Sequence, residues 1–81
     1  MFYTYILSCS DNTLYTGSTN NLEKRIYEHN YTKSGAHYTK IRRPVYLIYY
    51  EEFTTLSEAR SREAAIKRMS KSEKLTLIAN K

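Results

Sequence analysis

Two spacings of apolar residues alternate along the chain, one typical of strands and one typical of helices. Residues 2–8 (FYTYILS) are rich in Tyr, Thr and Ile and predict a β-strand. Asp11 and Asn12 both tolerate left-handed backbone and predict a tight turn, after which residues 13–16 return as a second strand. Gly17 is expected to end that strand, where its lack of a Cβ lets another backbone or a ligand approach closely. The segment therefore predicts a β-hairpin.

Helix start signals occur three times further along, each with Asn, Thr or Ser followed by Glu three residues later. They predict helices over about 21–29, 55–69 and 70–78, capped by Asn20, Thr55 and Ser70.

The region between the first two predicted helices holds a third strand. Residues 30–43 show no clean period and predict a basic loop with room for a short helical turn. Pro44 begins the next element, and residues 45–50 (VYLIYY) form a near-continuous apolar run that is typical of a central strand. The order ββαβαα predicts a small α/β fold over residues 1–81 as a single domain, with a three-stranded, mainly antiparallel sheet flanked by helices.

Composition narrows the class of protein. With 81 residues, of which 41% are apolar, the chain predicts one domain with a thin core. No stretch is long and apolar enough to span a membrane. The start MFYTYILS lacks the basic segment of a signal peptide, and the single cysteine, Cys9, cannot form an internal disulfide. We therefore expect a cytoplasmic protein in which Cys9 is a small buried filler.

Positive charge is concentrated in the middle and at the end of the chain. The formal net charge is +5, although residues 1–23 contain no Lys or Arg. Residues 24–43 hold Lys24, Arg25, Lys33, Lys40, Arg42 and Arg43 against only Glu28. Such clustering predicts a polyanion binder, most simply a nucleic-acid binder, with a plain solvated surface as the alternative. An anionic membrane is disfavoured because no helix combines a basic face with a Trp, Phe or Leu face.

Polar side chains interrupt the apolar faces of two predicted helices. Leu22, Arg25, Ile26 and His29 follow the spacing that puts residues on one helical face. Glu63 lies in the same way within the apolar stripe of the later helix. A buried carboxylate must be paired or bind a metal, because desolvating it alone is very costly.

A purely structural explanation exists for each of these residues. Arg25 and Glu63 could form a partly buried salt bridge, and His29 could be a hydrogen-bonded core histidine. Arg60 and Lys67, three and four residues from Glu63, could also pair with it on the helix surface. What favours a site is the joint arrangement, since two helices direct polar groups toward a sheet that carries tyrosines.

The order of these residues resembles a known family. The chain has YTY at 3–5 and YTG at 15–17, then Arg25 and His29 four residues apart, then Glu63 within REAAIKR. This set resembles the GIY-YIG nuclease family, in which two tyrosine triplets lie on adjacent strands and precede a helical Arg and His and a later helical Glu. The resemblance extends over essentially the whole chain and looks most like the small stand-alone members, which share stretches such as GAHYTKIRRPV.

Two positions depart from the family pattern. Tyr3 stands in place of the first Gly, and Thr16 stands in place of the usual Ile. Neither departure removes the hydroxyls of Tyr5 and Tyr15.

The resemblance implies a metal-dependent endonuclease that hydrolyses DNA phosphodiester bonds, in DNA repair or recombination. Glu63 is the implied metal ligand, and a lone carboxylate suits Mg²⁺ or Mn²⁺, which take further oxygens from water and phosphate. Arg25 would clamp the scissile phosphate with its planar fork. Tyr5 is implied to take the proton of the attacking water, helped by Arg25, the metal or a relay through His29, because an unperturbed tyrosine is a poor base. Tyr15 would orient water or phosphate.

DNA contacts would come from the basic loop. They are expected from Lys33, Lys40, Arg42 and Arg43, which would hold backbone phosphates and read no sequence. Sequence specificity would then need a protein partner. The rival functions are a non-catalytic module that binds DNA or RNA, and an adaptor that docks on a larger complex.

Overall fold

A computed structural model describes residues 1–80 and contains the strands and helices in the predicted order. Its elements are β1 (Phe2–Ser8), β2 (Leu14–Thr19), α1 (Leu22–Tyr31), α2 (His37–Lys40), β3 (Tyr46–Phe53), α3 (Leu56–Lys67) and α4 (Lys71–Ala79). The three strands form one antiparallel sheet, so the predicted α/β class is confirmed. The short helix α2 occupies the predicted basic loop. No helix among residues 1–80 is long and apolar enough to cross a membrane.

The hairpin forms as the sequence predicts, but β2 is longer. Asn12 adopts the left-handed conformation with φ 67°, and the Asp11 carboxylate accepts hydrogen bonds from the amide and the hydroxyl of Thr13. The strand β2 continues past Gly17 to Thr19, because Gly17 pairs with Tyr5 across the sheet. The prediction that Gly17 ends the strand is therefore wrong. The glycine lies inside the ladder.

The position of β3 differs from the prediction. The strand order is β2-β1-β3, so β1 is central and β3 lies at an edge of the sheet. The apolar run of β3 is explained by its two covered faces, since Leu47 packs on the α1 side and Tyr49 on the α3 side. An irregularity in the β1–β3 register lets Tyr49 pair with Ile6 and Leu47 with Leu7.

Two small cores lie on opposite faces of the sheet. On the α1 side the buried residues are Tyr5, Leu7, Cys9 and Val45. On the α3 side they are Ile6, Tyr49 and Ile66, joined by partly buried residues of α4. Alternation along β1 produces this division, because successive side chains of a strand point to opposite faces. The Thr4 hydroxyl also attaches β1 to α3 by donating to the Ala59 carbonyl over 2.6 Å.

Side-chain caps define where the longer helices begin. Thr55 and Ser70 form the two predicted capping boxes, at the starts of α3 and α4. The first helix begins one residue later than predicted, since its cap is Asn21, whose side chain accepts from the amide of Lys24. Asn20 is therefore outside the helix.

Arg43 holds the carboxyl end of α1. Its guanidinium donates to the carbonyls of His29 at 2.7 Å, Glu28 at 3.2 Å and Thr32 at 2.6 Å. These carbonyls lie in the last turn, where a cation also complements the helix dipole. Gly35 permits the close packing here, because a Cβ at this position would lie 2.5 Å from the carbonyl oxygen of Glu28. The loop after α1 is thus bound to the helix end.

We expect Arg43→Ala to destabilise the protein by about 2 kcal/mol, because it removes three charge-assisted hydrogen bonds that hold the loop to the end of α1. For a chain of this size the melting temperature should fall by roughly 10 °C. Lys33→Ala is the matched control, since it removes the same charge from an exposed position. Thermal and urea unfolding of both variants would measure the difference. Equal stabilities for the two variants would contradict the structural role of Arg43.

Candidate active site

A chain of hydrogen bonds runs through the core on the α1 side of the sheet. The Tyr5 hydroxyl lies 2.7 Å from Nε2 of His29, and Nδ1 of His29 lies 2.8 Å from the Thr39 hydroxyl. The Thr39 hydroxyl in turn donates to the Ala36 carbonyl over 2.8 Å. Tyr5, His29 and Thr39 are at most 1% exposed. One buried histidine therefore joins β1, α1 and α2.

Gly17 sets the position of the Tyr5 ring. The two residues are paired on neighbouring strands, and Tyr5 lies across the space where a side chain of residue 17 would be. A Cβ on Gly17 would come within 2.5 Å of the Tyr5 hydroxyl oxygen and 2.7 Å of Cζ. The glycine of the second triplet is thus required for the first tyrosine to reach His29.

Tyr15 lies beside the same histidine and is less deeply buried. Its ring centroid is 5.2 Å from that of His29, 6.5 Å from Tyr5 and 5.8 Å from Tyr38 of α2. The guanidinium of Arg42 lies 3.8 Å above the Tyr38 ring. An aromatic layer therefore connects the buried histidine to the basic loop.

Arg25 projects from α1 and is half-buried. Its guanidinium donates to the Glu28 carboxylate over 3.0 Å and to the Ser34 carbonyl over 2.8 Å. Burial raises the pKa of Tyr5 well above its ordinary value, and the nearby Tyr15 adds to the rise. Hydrogen bonding and the positive charge of Arg25 oppose that rise in pKa.

His29 is held neutral. Burial, helped by the positive charge of Arg25, lowers the pKa of its imidazole from 6.5 to about 4. At neutral pH the ring therefore has one protonated and one unprotonated nitrogen, which is the form able to accept a proton.

Glu63 approaches from the other face of the sheet. Its carboxylate accepts from the Ser18 hydroxyl over 2.6 Å and pairs with Lys67 over 2.7 Å. The alternative of an Arg25–Glu63 salt bridge is wrong, because Arg25 pairs with Glu28 instead. The negative charge of Glu63 is a small contribution to the raised pKa of Tyr5. Glu63 points toward the hairpin.

The Glu63 carboxylate fits the chemistry of a magnesium or manganese ligand. Within residues 1–80, no cluster of three or more His, Cys, Asp or Glu side chains is arranged to hold a metal. Mg²⁺ needs no such cluster, since it is commonly held by one or two carboxylates together with water and substrate phosphate. The side chain of Glu63 is 19% exposed, and Lys67, its partner, is 53% exposed and can move away. Glu63 and the Ser18 hydroxyl are the oxygens available at this place.

The four basic residues expected to bind DNA differ in their exposure and in the contacts that their charged groups make within the protein. Lys33 is exposed and Lys40 is half-buried. Arg42 pairs with Asp11 over 3.0 Å and donates to the Tyr38 carbonyl. The Arg43 guanidinium is occupied by the carbonyls of α1. The DNA contact that the sequence predicts for each of them stays a prediction, and it rests most directly on Lys33 and Lys40.

Two polar residues of this site were missed by the sequence reasoning. Ser18 could have been found, because it follows Gly17 and strand alternation places it on the face opposite Tyr15. Thr39 carried no signal, since nothing in the spacing of residues 30–43 indicates which of them meets His29.

Known proteins are similar to this chain over most of its length and most of theirs. The chain is 60% identical over 76 residues to a UPF0213 protein of Syntrophus aciditrophicus (strain SB), covering 94% of this chain and 87% of that protein. It is 54% identical over 81 residues to UPF0213 protein CPE1444 of Clostridium perfringens (strain 13 / Type A), covering 100% of this chain and 86% of that protein. These names state no activity.

Two solution NMR structures have the same fold. UPF0213 protein BH0048 from Bacillus halodurans matches with a TM-score of 0.64 and 36% identity, over 100% of this chain and 86% of that one. Protein EF2693 from E. faecalis matches with a TM-score of 0.65 and 41% identity, over 96% of this chain and 82% of that one.

The family comparison agrees with the resemblance in the tyrosine triplets and the helical residues. The model of the GIY-YIG catalytic domain matches residues 1–76, nearly the whole chain. The domain is of nuclease type, and nucleases of this kind generally use divalent metals. The chain therefore belongs to the GIY-YIG family.

Proposed function

We propose that this chain is a metal-dependent endonuclease that hydrolyses DNA phosphodiester bonds, with residues 1–81 as a single catalytic domain. The observation that carries the proposal is the hydrogen bond between Tyr5 and His29. Arg25 of α1 and Glu63 of α3 add a guanidinium and a carboxylate to this set. A tyrosine, a neutral histidine, a guanidinium and a carboxylate are the groups needed to activate water next to a phosphate. Family membership supports the same reaction class.

Arg25 is the proposed phosphate ligand. Its guanidinium is held in place by Glu28 and the Ser34 carbonyl, and it lies close enough to Tyr5 to lower the pKa of that hydroxyl. A planar fork of donors can contact two phosphate oxygens at once. A phosphate bound there has its phosphorus close to the Tyr5 hydroxyl, which is the arrangement in-line attack by water requires.

Tyr5 and His29 are the proposed proton-transfer pair. As the Tyr5 oxygen takes a proton from the attacking water, its own proton passes to Nε2 of His29, 2.7 Å away. The neutral state of His29 leaves that nitrogen able to accept. Tyr5 is only 1% exposed and packs against the buried Gly17, so the proposal requires water to enter this part of the core. Tyr15, the less buried tyrosine, would orient the water or the phosphate.

Glu63 and the Ser18 hydroxyl would hold the divalent cation, Mg²⁺ or Mn²⁺. When bound, the cation would neutralise phosphate charge and stabilise the leaving oxygen. Release of Lys67 from Glu63 would free one carboxylate oxygen for this contact. Ser18 keeps the carboxylate turned toward β2.

The DNA would lie along the loop after α1. Lys33 adjoins Ser34, whose carbonyl contacts Arg25, and Lys40 ends the helix that carries Thr39. These cations would hold backbone phosphates without reading sequence, so a protein partner would supply specificity in DNA repair or recombination. The single free cysteine supports a cytoplasmic setting.

Glu63→Gln tests the catalytic proposal. The change keeps the size of the side chain and an acceptor for Ser18 but removes the charge that would hold the cation, so metal-dependent plasmid nicking should fall on the order of 10³-fold. DNA affinity should persist or rise, because a negative charge next to the phosphate is lost. Stability should change by about 1 kcal/mol or less, since only an exposed pair with Lys67 is lost.

Glu52→Gln is the matched control, because it makes the same charge change at an exposed position on β3. It should nick DNA at the parent rate. A folded Glu63→Gln variant that nicks equally well would overturn the role of Glu63. DNA binding by the parent without nicking of any substrate would favour the non-catalytic binding module.

Removing the proposed phosphate contacts should weaken binding to all DNA sequences about equally. Each of Lys33→Ala and Lys40→Ala should reduce the slope of log affinity against log salt by about one. Lys74→Ala, on the helix α4 that packs on the opposite face of the sheet, should leave the slope unchanged. Fluorescence anisotropy at several salt concentrations would measure these slopes, and three equal losses would show that binding is not localised on the loop.

His29 should remain neutral in the folded protein well below pH 6.5. Its folded pKa of about 4 lies below the ordinary 6.5, so the unfolded chain takes up a proton that the folded chain does not. The stability that neutral His29 contributes to folding is therefore fully present above pH 6.5, and it declines as the pH falls toward 4. Asp11, Glu58 and Glu73 also have lowered pKa values, but the stability that these carboxylates contribute is lost only below about pH 4.5.

NMR of the imidazole signals against pH would check this, with the exposed His37 in the same spectrum for reference. Signals of His29 that do not move between pH 8 and about pH 5.5 are the expected result. A midpoint near 6.5 for His29 would contradict a neutral proton acceptor.

A further inference from the structure

The Thr39 hydroxyl has two hydrogen-bond partners but only one proton to share between them. It lies 2.8 Å from the Ala36 carbonyl oxygen and 2.8 Å from Nδ1 of His29. A carbonyl oxygen can only accept, so the hydroxyl proton points to Ala36. The Thr39 oxygen must then accept a hydrogen bond from Nδ1–H of His29.

We propose that Thr39 is a positioning residue that fixes the Nδ1–H tautomer of His29 and thereby keeps Nε2 as the acceptor of the Tyr5 proton. This rests on the proposed function for its catalytic consequence, although the tautomer itself does not. In the opposite tautomer the Thr39 hydroxyl would turn to Nδ1. Its oxygen and the Ala36 carbonyl oxygen would then face each other at 2.8 Å with no proton between them. That repulsion, next to side chains of His29 and Thr39 that are 0% exposed, selects one tautomer.

The hydrogen bond from Nδ1–H of His29 to Thr39 can also form when the ring is a positively charged imidazolium. When Tyr5 passes its proton to Nε2, the Tyr5 O–H bond breaks and an Nε2–H bond forms. The Tyr5 oxygen gains the proton of the attacking water, and the hydroxide so formed bonds to phosphorus as the bond from phosphorus to the leaving oxygen of the DNA strand breaks. The leaving oxygen departs as an alkoxide that takes a proton from solvent. The proton on Nδ1 stays bonded to Thr39 throughout, because both nitrogens of an imidazolium are donors. The ring therefore has no need to turn or exchange its partner during the reaction.

The short helix α2 holds Thr39 firmly enough for this task. Thr39 is 0% exposed, and the neighbouring Tyr38 ring packs on Tyr15 at 5.8 Å. Arg42 covers the Tyr38 ring and pairs with Asp11 of the hairpin loop. The helix is thus attached to the hairpin on one side and to α1 on the other.

The test combines the protonation state of the ring with activity. ¹⁵N NMR of the His29 ring nitrogens in the parent should show Nδ1 protonated and Nε2 unprotonated at neutral pH. Thr39→Val keeps the shape of the side chain but cannot accept, so the Nε2–H form should appear and nicking should fall on the order of 10²-fold. Thr39→Ser retains the hydroxyl and should preserve both the tautomer and activity within a few fold.

Thr39→Ala provides a second acceptor-free variant should Thr39→Val fold poorly. A parent His29 in the Nε2–H form would overturn the proposal whatever the activity. An altered tautomer in Thr39→Val or Thr39→Ala with nicking at the parent rate would overturn the positioning role. If the parent does not nick DNA at all, the proposed function fails, while the NMR measurement still confirms or refutes the tautomer.

Discussion

The structure depends on how one buried histidine satisfies its two ring nitrogens. His29 is fully buried, so each nitrogen must have a partner or cost free energy. Tyr5 and Thr39 supply those partners from β1 and α2. The same two bonds that make the core acceptable also place a tyrosine hydroxyl against a neutral imidazole. The hydrogen bonds that stabilise this part of the core are therefore the same ones that fix the positions of the tyrosine hydroxyl and the imidazole.

The edge of β2 brings groups from both faces of the sheet together. Gly17 leaves space that the Tyr5 ring fills on the α1 side, and Ser18 binds the Glu63 carboxylate on the α3 side. Because successive residues of a strand point to opposite faces, two neighbours on one edge strand can serve both helices. The Glu63 carboxylate is 19% exposed at this edge of the sheet.

The number of cationic residues in the basic loop is larger than the number whose charged groups are free of contacts within the fold. Arg43 closes the end of α1, and Arg42 covers an aromatic ring and pairs with Asp11. Both positive charges still contribute to the field that attracts a polyanion. Lys33 is exposed and Lys40 is half-buried, so the prediction that this loop contacts DNA phosphates rests most directly on these two residues.

Local rules written in the sequence determined the element order, the caps at Thr55 and Ser70, and the helical face that carries His29. Those features depend on residues a few positions apart, where spacing and capping chemistry decide the outcome. Tertiary structure alone decided that β3 is an edge strand, that Glu63 meets Ser18, and that Thr39 meets His29. These outcomes join distant parts of the chain, and a single sequence contains no period or motif that selects one distant partner over another. They follow only when the sheet has formed and buried polar groups must find partners within reach.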